Sequence, residues 1–170
     1  SLPGVTFSGG DSTEPAVRGS SPADNRYLID FMPVGYIFHT DSSSILNDNS
    51  LKDFMLDSAA FASQYHDATG AVIAANTRDP YLDQPQTVID LSVLKASIFI
   101  ERDIDEKQGF YLSARQSLFQ YYIENFLDEE DFELTTLPEY YDYQGKYQYQ
   151  ISDQEKISIK CCLLHNSSRF

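Results

Sequence analysis

Three histidines, His39, His66 and His165, are the residues of this sequence best suited to acid–base or metal chemistry. His39 is followed by Asp41 and Ser42, so the three residue types of a hydrolytic triad stand together. Neighbours in one loop rarely form a triad, however, because its members must meet in a defined geometry. The sequence also lacks a glycine-rich phosphate loop, zinc-ligand spacing and the Gly-x-Ser-x-Gly motif. We therefore predict no enzymatic activity, no metal site and no cofactor.

The chain is strongly acidic, with a formal net charge of -14 over 170 residues. Such a chain cannot neutralise a phosphate backbone, which argues against a nucleic-acid partner. Part of the charge is concentrated in Glu124–Glu139, which holds seven acidic residues and no basic one. This segment is predicted to be an extracellular loop if the strands that flank it belong to a barrel, and a solvated acidic loop if the protein is soluble.

The N-terminal half has the pattern of a small sheet with long connections. Short apolar runs at Tyr27–Val34, Leu51–Leu56 and Ala71–Ala75 are separated by loops rich in Gly, Ser, Asn and Asp. Within the first run, Pro33 indicates an edge strand or a bend, because proline cannot donate to a strand ladder. We expect a compact α+β unit of about eighty residues, which is small enough to be only marginally stable by itself.

From residue 86 onward the sequence alternates between apolar and polar residues over long strands. Between Tyr141 and Ile151 the odd positions are tyrosine, glycine or isoleucine and the even positions are polar. A short turn at Ser152–Glu155 leads into a second alternating run, Ile157–Leu163. This pattern predicts an antiparallel hairpin with one apolar and one polar face. Its first strand has the ~9–11 residues that cross an outer membrane.

Two more segments follow the same rule. The run Phe110–Leu118 alternates in the same way and predicts a third strand. In Gln86–Asp103 the polar residues lie mostly at even positions before Leu94 and mostly at odd positions after it. This change indicates two strands with a tight turn near Leu94. One bulged strand is the alternative.

Alternation alone leaves two architectures open. In a transmembrane β-barrel the apolar faces meet lipid and the polar faces meet the lumen, with short connections on the periplasmic side. In a soluble antiparallel sheet the apolar face covers a core instead.

Five short motifs in the N-terminal half, in this order and spacing, resemble the second half of the plug domain of TonB-dependent outer-membrane receptors. They are Leu2-Pro3-Gly4-Val5, Val17-Arg18-Gly19, Tyr27-Leu28-Ile29-Asp30, Pro33-Val34 and Gly70-Ala71-Val72-Ile73. Several glycines of the family pattern are replaced here. Phe31 follows Asp30, His66 follows Tyr65 and Ala71 follows Gly70, where the family has glycine.

The resemblance implies a mainly β fold, in which a small α+β plug domain is followed by antiparallel transmembrane β-barrel strands that form a partial barrel. Residues 1–80 are expected to be the C-terminal part of the plug, and residues 86–170 the first four or five barrel strands. The chain is then a fragment of a receptor in the outer membrane of a Gram-negative bacterium. Such receptors bind a scarce solute (a siderophore, vitamin, glycan or peptide). Uptake follows when a TonB-type energy-transducing complex pulls on the plug.

The resemblance also implies roles for individual residues. Loop residues of the plug are expected to contact the solute, and arginines to join plug and barrel. The predicted solute contacts are Tyr36, His39, Asp41, Tyr65 and His66, and the predicted plug–barrel contacts are Arg18, Arg78 and Arg115. The other expected partners are the remainder of the barrel and outer-membrane lipid. The alternative is a soluble acidic binding module that neutralises a basic partner.

Overall fold

The structure is a computed structural model that describes residues 5–7, 14–39, 43–58, 61–65, 68–126 and 137–169. The chain divides into two compact units, Ser1–Arg78 and Asp79–Phe170, which are described separately below. Among the described residues, both units consist mainly of β-strands. The expected mainly β fold class is therefore confirmed.

Unit 1 contains a small hairpin and a four-stranded sheet, counted over the described residues. In the hairpin, β1 and β2 pair antiparallel. In the sheet the strand order is β4-β3-β6-β5; β3 and β6 are parallel and the other pairs are antiparallel. The strands are β1 (Val5–Phe7), β2 (Pro15–Val17), β3 (Arg26–Ile29), β4 (Met32–Val34), β5 (Leu51–Asp57) and β6 (Val72–Thr77).

The apolar run Tyr27–Val34 forms a hairpin of two strands, β3 and β4, rather than one strand. Asp30 and Phe31 form its turn with φ angles of 47° and 72°. Positive φ at both central residues matches the backbone twist of the flanking strands, which is why such turns favour Asn-Gly or Asp-Gly. Pro33 lies in β4, the edge strand of the sheet, as predicted.

The sheet of unit 1 is covered on both faces. Tyr27 of β3 and Ile73 of β6 pack on one face with Ile37 from the loop that follows β4. On the opposite face, Leu28 and Val72 pack together with Ala74. Burial on both faces explains why these strands are apolar at consecutive positions and show no alternation.

Unit 2 is a five-stranded antiparallel sheet with the order β11-β10-β9-β8-β7, counted over the described residues. Each strand pairs with its neighbours in sequence, so the sheet is a simple meander. The predicted hairpins are confirmed, and Gln86–Asp103 contains two strands, not one bulged strand. The strands are β7 (Gln86–Leu91), β8 (Lys95–Asp105), β9 (Gln108–Ser117), β10 (Leu137–Gln150) and β11 (Lys156–Arg169).

The acidic segment Glu124–Glu139 is not a loop at either end. Its first residues belong to a helix, α1 (Phe119–Phe126), and its last residues belong to β10. Residues 127–136 lie outside the described part of the chain. The loop prediction was therefore too wide at both ends. No described helix is long and apolar enough to cross a membrane.

Candidate functional site

Along its inner strands β8, β9 and β10, the sheet of unit 2 buries its polar face and leaves its apolar face more exposed. Along β10 the side chains of Asp142, Gln144, Lys146 and Gln148 are buried. On the opposite face, Leu112 is 54% exposed, Tyr143 53% and Ile159 63%. A water-soluble sheet would show the reverse pattern, since burial of apolar side chains is what stabilises it. Exposed apolar and buried polar rows are instead the arrangement of a membrane-embedded barrel wall.

Arg115, predicted as a plug–barrel contact, lies on the buried polar face and forms an ion pair there. Its Nε donates to Asp142 Oδ2 at 2.9 Å, and an Nη2–H donates to the same oxygen. The guanidinium also lies over the ring of Tyr140, 5.4 Å from its centroid. The two charged residues are cross-strand partners on β9 and β10, so the register of the sheet fixes the pair.

Two of the predicted solute contacts, Tyr36 and His39, lie together in the loop between β4 and β5. Their ring centroids are 6.1 Å apart. The loop folds back on itself, because the amide of His39 donates to the carbonyl of Ser43 at 2.8 Å. Tyr36 is half-buried and His39 is fully buried. Of these two residues, Tyr36 is the one that is partly exposed in this conformation.

Tyr65, the third described candidate, packs on the other face of the unit 1 sheet. It lies against the cluster of Leu28 and Val72, whereas Ile37 and Phe38, next to His39, pack on the Tyr27 face. Its ring centroid is 5.8 Å from that of Phe31. The structure therefore brings Tyr36 and His39 together but does not add Tyr65 to them. The remaining candidates, Asp41 and His66, lie outside the described residues.

The other predicted plug–barrel contacts, Arg18 and Arg78, occupy defined positions within unit 1. Arg18 is exposed and has a φ of 51°, and Gly19 follows with a φ of 82°. Arg78 donates from Nε to the carbonyl of Asn49 at 2.6 Å and from its amide to Ser50 at 2.9 Å. For all three arginines, a role between plug and barrel stays a prediction.

Two acidic residues of the polar face were not singled out by sequence reasoning. Glu101 is fully buried in β8 and Asp142 is nearly so in β10. Strand parity had placed both on the polar face, so alternation was the signal that could have found them. In the described part of the chain, no group of three or more His, Cys, Asp or Glu residues is arranged to hold a metal ion.

Comparison with known proteins gives matches in structure only. No protein family and no curated protein matches the sequence. The siderophore receptor PirA from Acinetobacter baumannii superposes with a TM-score of 0.69 at 14% sequence identity, over 99% of this chain and 28% of the receptor. The siderophore receptor PirA from Pseudomonas aeruginosa gives a TM-score of 0.62 at 17% identity, over 97% of this chain and 30% of the receptor.

These two superpositions cover nearly all of the chain but less than a third of each receptor. At such low identity they establish the fold. The chain therefore has the fold of part of a siderophore receptor, and the resemblance to TonB-dependent receptors predicted from its sequence is confirmed at that level.

Proposed function

We propose that this chain is part of a TonB-dependent outer-membrane receptor. Residues 1–80 form the C-terminal part of the plug, and residues 86–170 form the first five strands of the barrel. The observation that carries the proposal is the polarity of the inner strands of the unit 2 sheet, where the apolar face is exposed and the polar face is buried. The fold shared with two siderophore receptors supports it.

The function that follows is transport and not catalysis. The receptor binds a scarce solute outside a Gram-negative cell and imports it when a TonB-type complex acts on the plug. Because both structural neighbours are siderophore receptors, a siderophore is the first solute to test. Polar and aromatic loop residues suit solute contact, which makes Tyr36 the leading described candidate.

The alternative, a soluble acidic module that neutralises a basic partner, requires a different surface. Its apolar row would have to lie inside, since contiguous exposed apolar surface leads to association or aggregation. Leu112, Tyr143 and Ile159 are exposed on one face of the sheet, which favours the membrane over the soluble module.

A pair of adjacent residues on β11 tests the membrane part of the proposal. Ile159 belongs to the exposed apolar row, and Ser158 points to the opposite face. Arginine on the lipid face of a barrel costs about 2–4 kcal/mol near the bilayer centre. We expect Ile159→Arg to reduce assembly of the full-length protein in outer membranes, and Ser158→Arg to leave assembly unchanged. Equal assembly of both variants with the unsubstituted protein would favour the soluble module.

Uptake tests the transport part. A Gram-negative strain without its own siderophore receptors would carry the full-length protein under iron limitation. We expect growth on a ferric siderophore, loss of growth without the TonB-type complex, and reduced uptake for Tyr36→Ala. Tyr149→Ala, a change on the exposed apolar row, is the matched control. Growth that persists without the energy-transducing complex would contradict energy-coupled transport.

A further inference from the structure

The segment Asp79–Pro85, which precedes β7, is attached to the sheet of unit 2 at three separate points. We call this segment the strap. The first attachment is at Asp79, whose Oδ1 lies 2.7 Å from the Nζ of Lys146. Its Oδ2 forms a second ion pair, with Lys156. Lys146 is buried on β10, and Lys156 is the partly exposed first residue of β11. One carboxylate thus joins the strap to two neighbouring strands.

The second attachment is an apolar contact at Gly109, near the start of β9. A Cβ atom at Gly109 would lie 2.8 Å from the Cδ2 of Leu82 and 3.5 Å from the Cβ of Pro80. The side chain of Leu82 thus lies directly on the backbone of β9, closer than it could lie beside a Cβ at this position without shifting.

The third attachment is at Glu101 of β8, which is fully buried. Its Oε1 accepts a hydrogen bond from the amide of Tyr81 at 2.8 Å. Its Oε2 accepts one from the Nε2 of Gln86, the first residue of β7, at 2.6 Å. Hydrogen bonds to a carboxylate are among the stronger ones in proteins, and buried ones are shielded from competing water.

Together the three attachments take the strap across the sheet from β11 and β10, past β9, to β8 and β7. Gly109 is the second residue after the connection at residues 106–107, and Lys156 directly follows the connection at residues 151–155. The strap therefore crosses the sheet at the end that carries these two turns, opposite to the end that carries the β7–β8 turn at residues 92–94.

We propose that the strap is a fixed part of the wall, with Asp79 and Glu101 as its positioning residues, so that any displacement of the chain before Asp79 ends there and the plug ends at Arg78 rather than at residue 80. The proposal rests on the proposed function, because an energy-coupled receptor displaces its plug while its wall stays in place. The strap then marks the boundary between the part that moves and the part that does not.

Hydrogen exchange of the Tyr81 amide measures the attachment directly. In Asp79→Asn we expect this amide to exchange at least 10-fold faster, because the strap loses its ion pairs with β10 and β11. Asp83→Asn is the matched control, since it removes the same charge from an exposed position in the same strap. We expect a change of less than 2-fold there. Equal rates in the two variants would overturn the proposal.

A milder variant keeps the test decisive if Asp79→Asn fails to fold. Lys156→Met removes one of the two lysines that pair with Asp79 and leaves Lys146 in place. We expect a smaller acceleration of Tyr81 exchange, of about 3-fold. A Tyr81 amide that exchanges at the unsubstituted rate in Lys156→Met would contradict a role for the ion pairs.

Single-molecule pulling on the full-length protein, between attachment points at residues 1 and 170, tests where displacement ends. Release of the 78 residues before Asp79 lengthens the chain by roughly 270 Å at about 3.5 Å per residue. We expect a stop at that length, and in Asp79→Asn a stop about 25 Å later, when the seven strap residues have also come free. Continuous unravelling through residue 79 in the unsubstituted chain would overturn the proposal. Neither measurement depends on solute uptake, so failure of the strap and failure of the proposed function are distinguishable.

Discussion

Arg115 and Asp142 face each other across β9 and β10, with the Nε of Arg115 2.9 Å from Asp142 Oδ2 and both side chains buried. Removing one partner of such a pair leaves the other charge buried without its compensation, which typically costs about 3–5 kcal/mol. We expect Arg115→Met to lower the free energy of unfolding by about 3 kcal/mol. Urea unfolding in detergent micelles, followed by circular dichroism, measures the loss.

A second ion pair on the same sheet supplies the control. Lys95 Nζ lies 3.5 Å from Asp90 Oδ2, and both side chains are partly exposed. Exposed pairs contribute less than about 1 kcal/mol, so Lys95→Met should have little effect. We also expect Arg115→Met combined with Asp142→Leu to recover part of the stability, because no buried charge then remains. A loss in Arg115→Met no larger than in Lys95→Met would contradict this account.

Unit 2 was predictable from sequence because each of its strands carries its own signal. The alternation in Tyr141–Ile151 and Ile157–Leu163 assigns every side chain to a face, and short turns leave only one way to pair the strands. The change in alternation near Leu94 likewise assigns the residues before and after it to different strands, which is why β7 and β8 could be told apart. Helix α1 was not predicted; it begins before the acidic segment, at Phe119, and its last residues overlap the start of that segment, whose composition indicated a loop.

The contacts of the candidate sites were less predictable, since they depend on residues far apart in the chain. Lys156 reaches Asp79 across 77 positions, and no local pattern links them. Tyr36 and His39 are close in sequence and also in space. The burial of His39 was not evident, however, because the sequence does not show that residues 37–39 pair with residues 43–45.

Gly70 lies where the chain has no room for a side chain. A Cβ there would be 2.7 Å from the Oγ of Ser20, 2.9 Å from the Oδ1 of Asn25 and 3.0 Å from the Cβ of Asp24. These neighbours are held in place, since Ser20 Oγ donates to the carbonyl of Val17 and Asn25 Nδ2 to that of Pro15, each at 2.7 Å. Overpacking of this kind costs about 1–3 kcal/mol, and we expect Gly70→Ala to lower the free energy of unfolding by that amount.

Gly35 is the matched position for this substitution. Nothing lies within 4 Å of a Cβ built there, so Gly35→Ala should leave the urea unfolding midpoint nearly unchanged. If both variants unfold at the midpoint of the unsubstituted chain, the close approach at Gly70 has no energetic consequence.

Phe31 occupies a turn position that favours glycine. With a φ of 72°, its Cβ is crowded against the backbone, at a cost of roughly 1–2 kcal/mol for residues other than glycine. The side chain is 59% exposed, so little apolar burial offsets that cost. We expect Phe31→Gly to raise the free energy of unfolding by about 1 kcal/mol. Met32→Gly, in the adjacent strand, should lower it instead, since glycine weakens a strand. A Phe31→Gly variant less stable than the unsubstituted chain would contradict the strain.

Asp79 should make the stability of unit 2 depend on pH in the acid range. Burial raises the pKa of Asp79, but hydrogen bonds to Lys146 and Lys156 and their positive charges together outweigh it, so the pKa lies below its ordinary value. A carboxyl whose pKa is lower in the folded than in the unfolded chain stabilises the fold above the unfolded pKa of about 3.9. That contribution is lost as the pH falls through the folded pKa. We therefore expect Asp79→Asn to be less stable than the unsubstituted chain at pH 7 and pH 5, and the difference to shrink at pH 3.

Urea unfolding at the three pH values measures this difference, which is on the order of 1 kcal/mol for a partly exposed pair. Asp83→Asn, the control from the same strap, should differ little from the unsubstituted chain throughout.

High salt provides an independent check, because it screens the exposed Lys156 pair more than the buried Lys146 pair. At pH 7, Lys156→Met should therefore lose its effect in high salt, whereas Asp79→Asn should keep part of its effect. A difference between Asp79→Asn and the unsubstituted chain that grows as the pH falls would show that the carboxylate form of Asp79 is not the form that stabilises the fold.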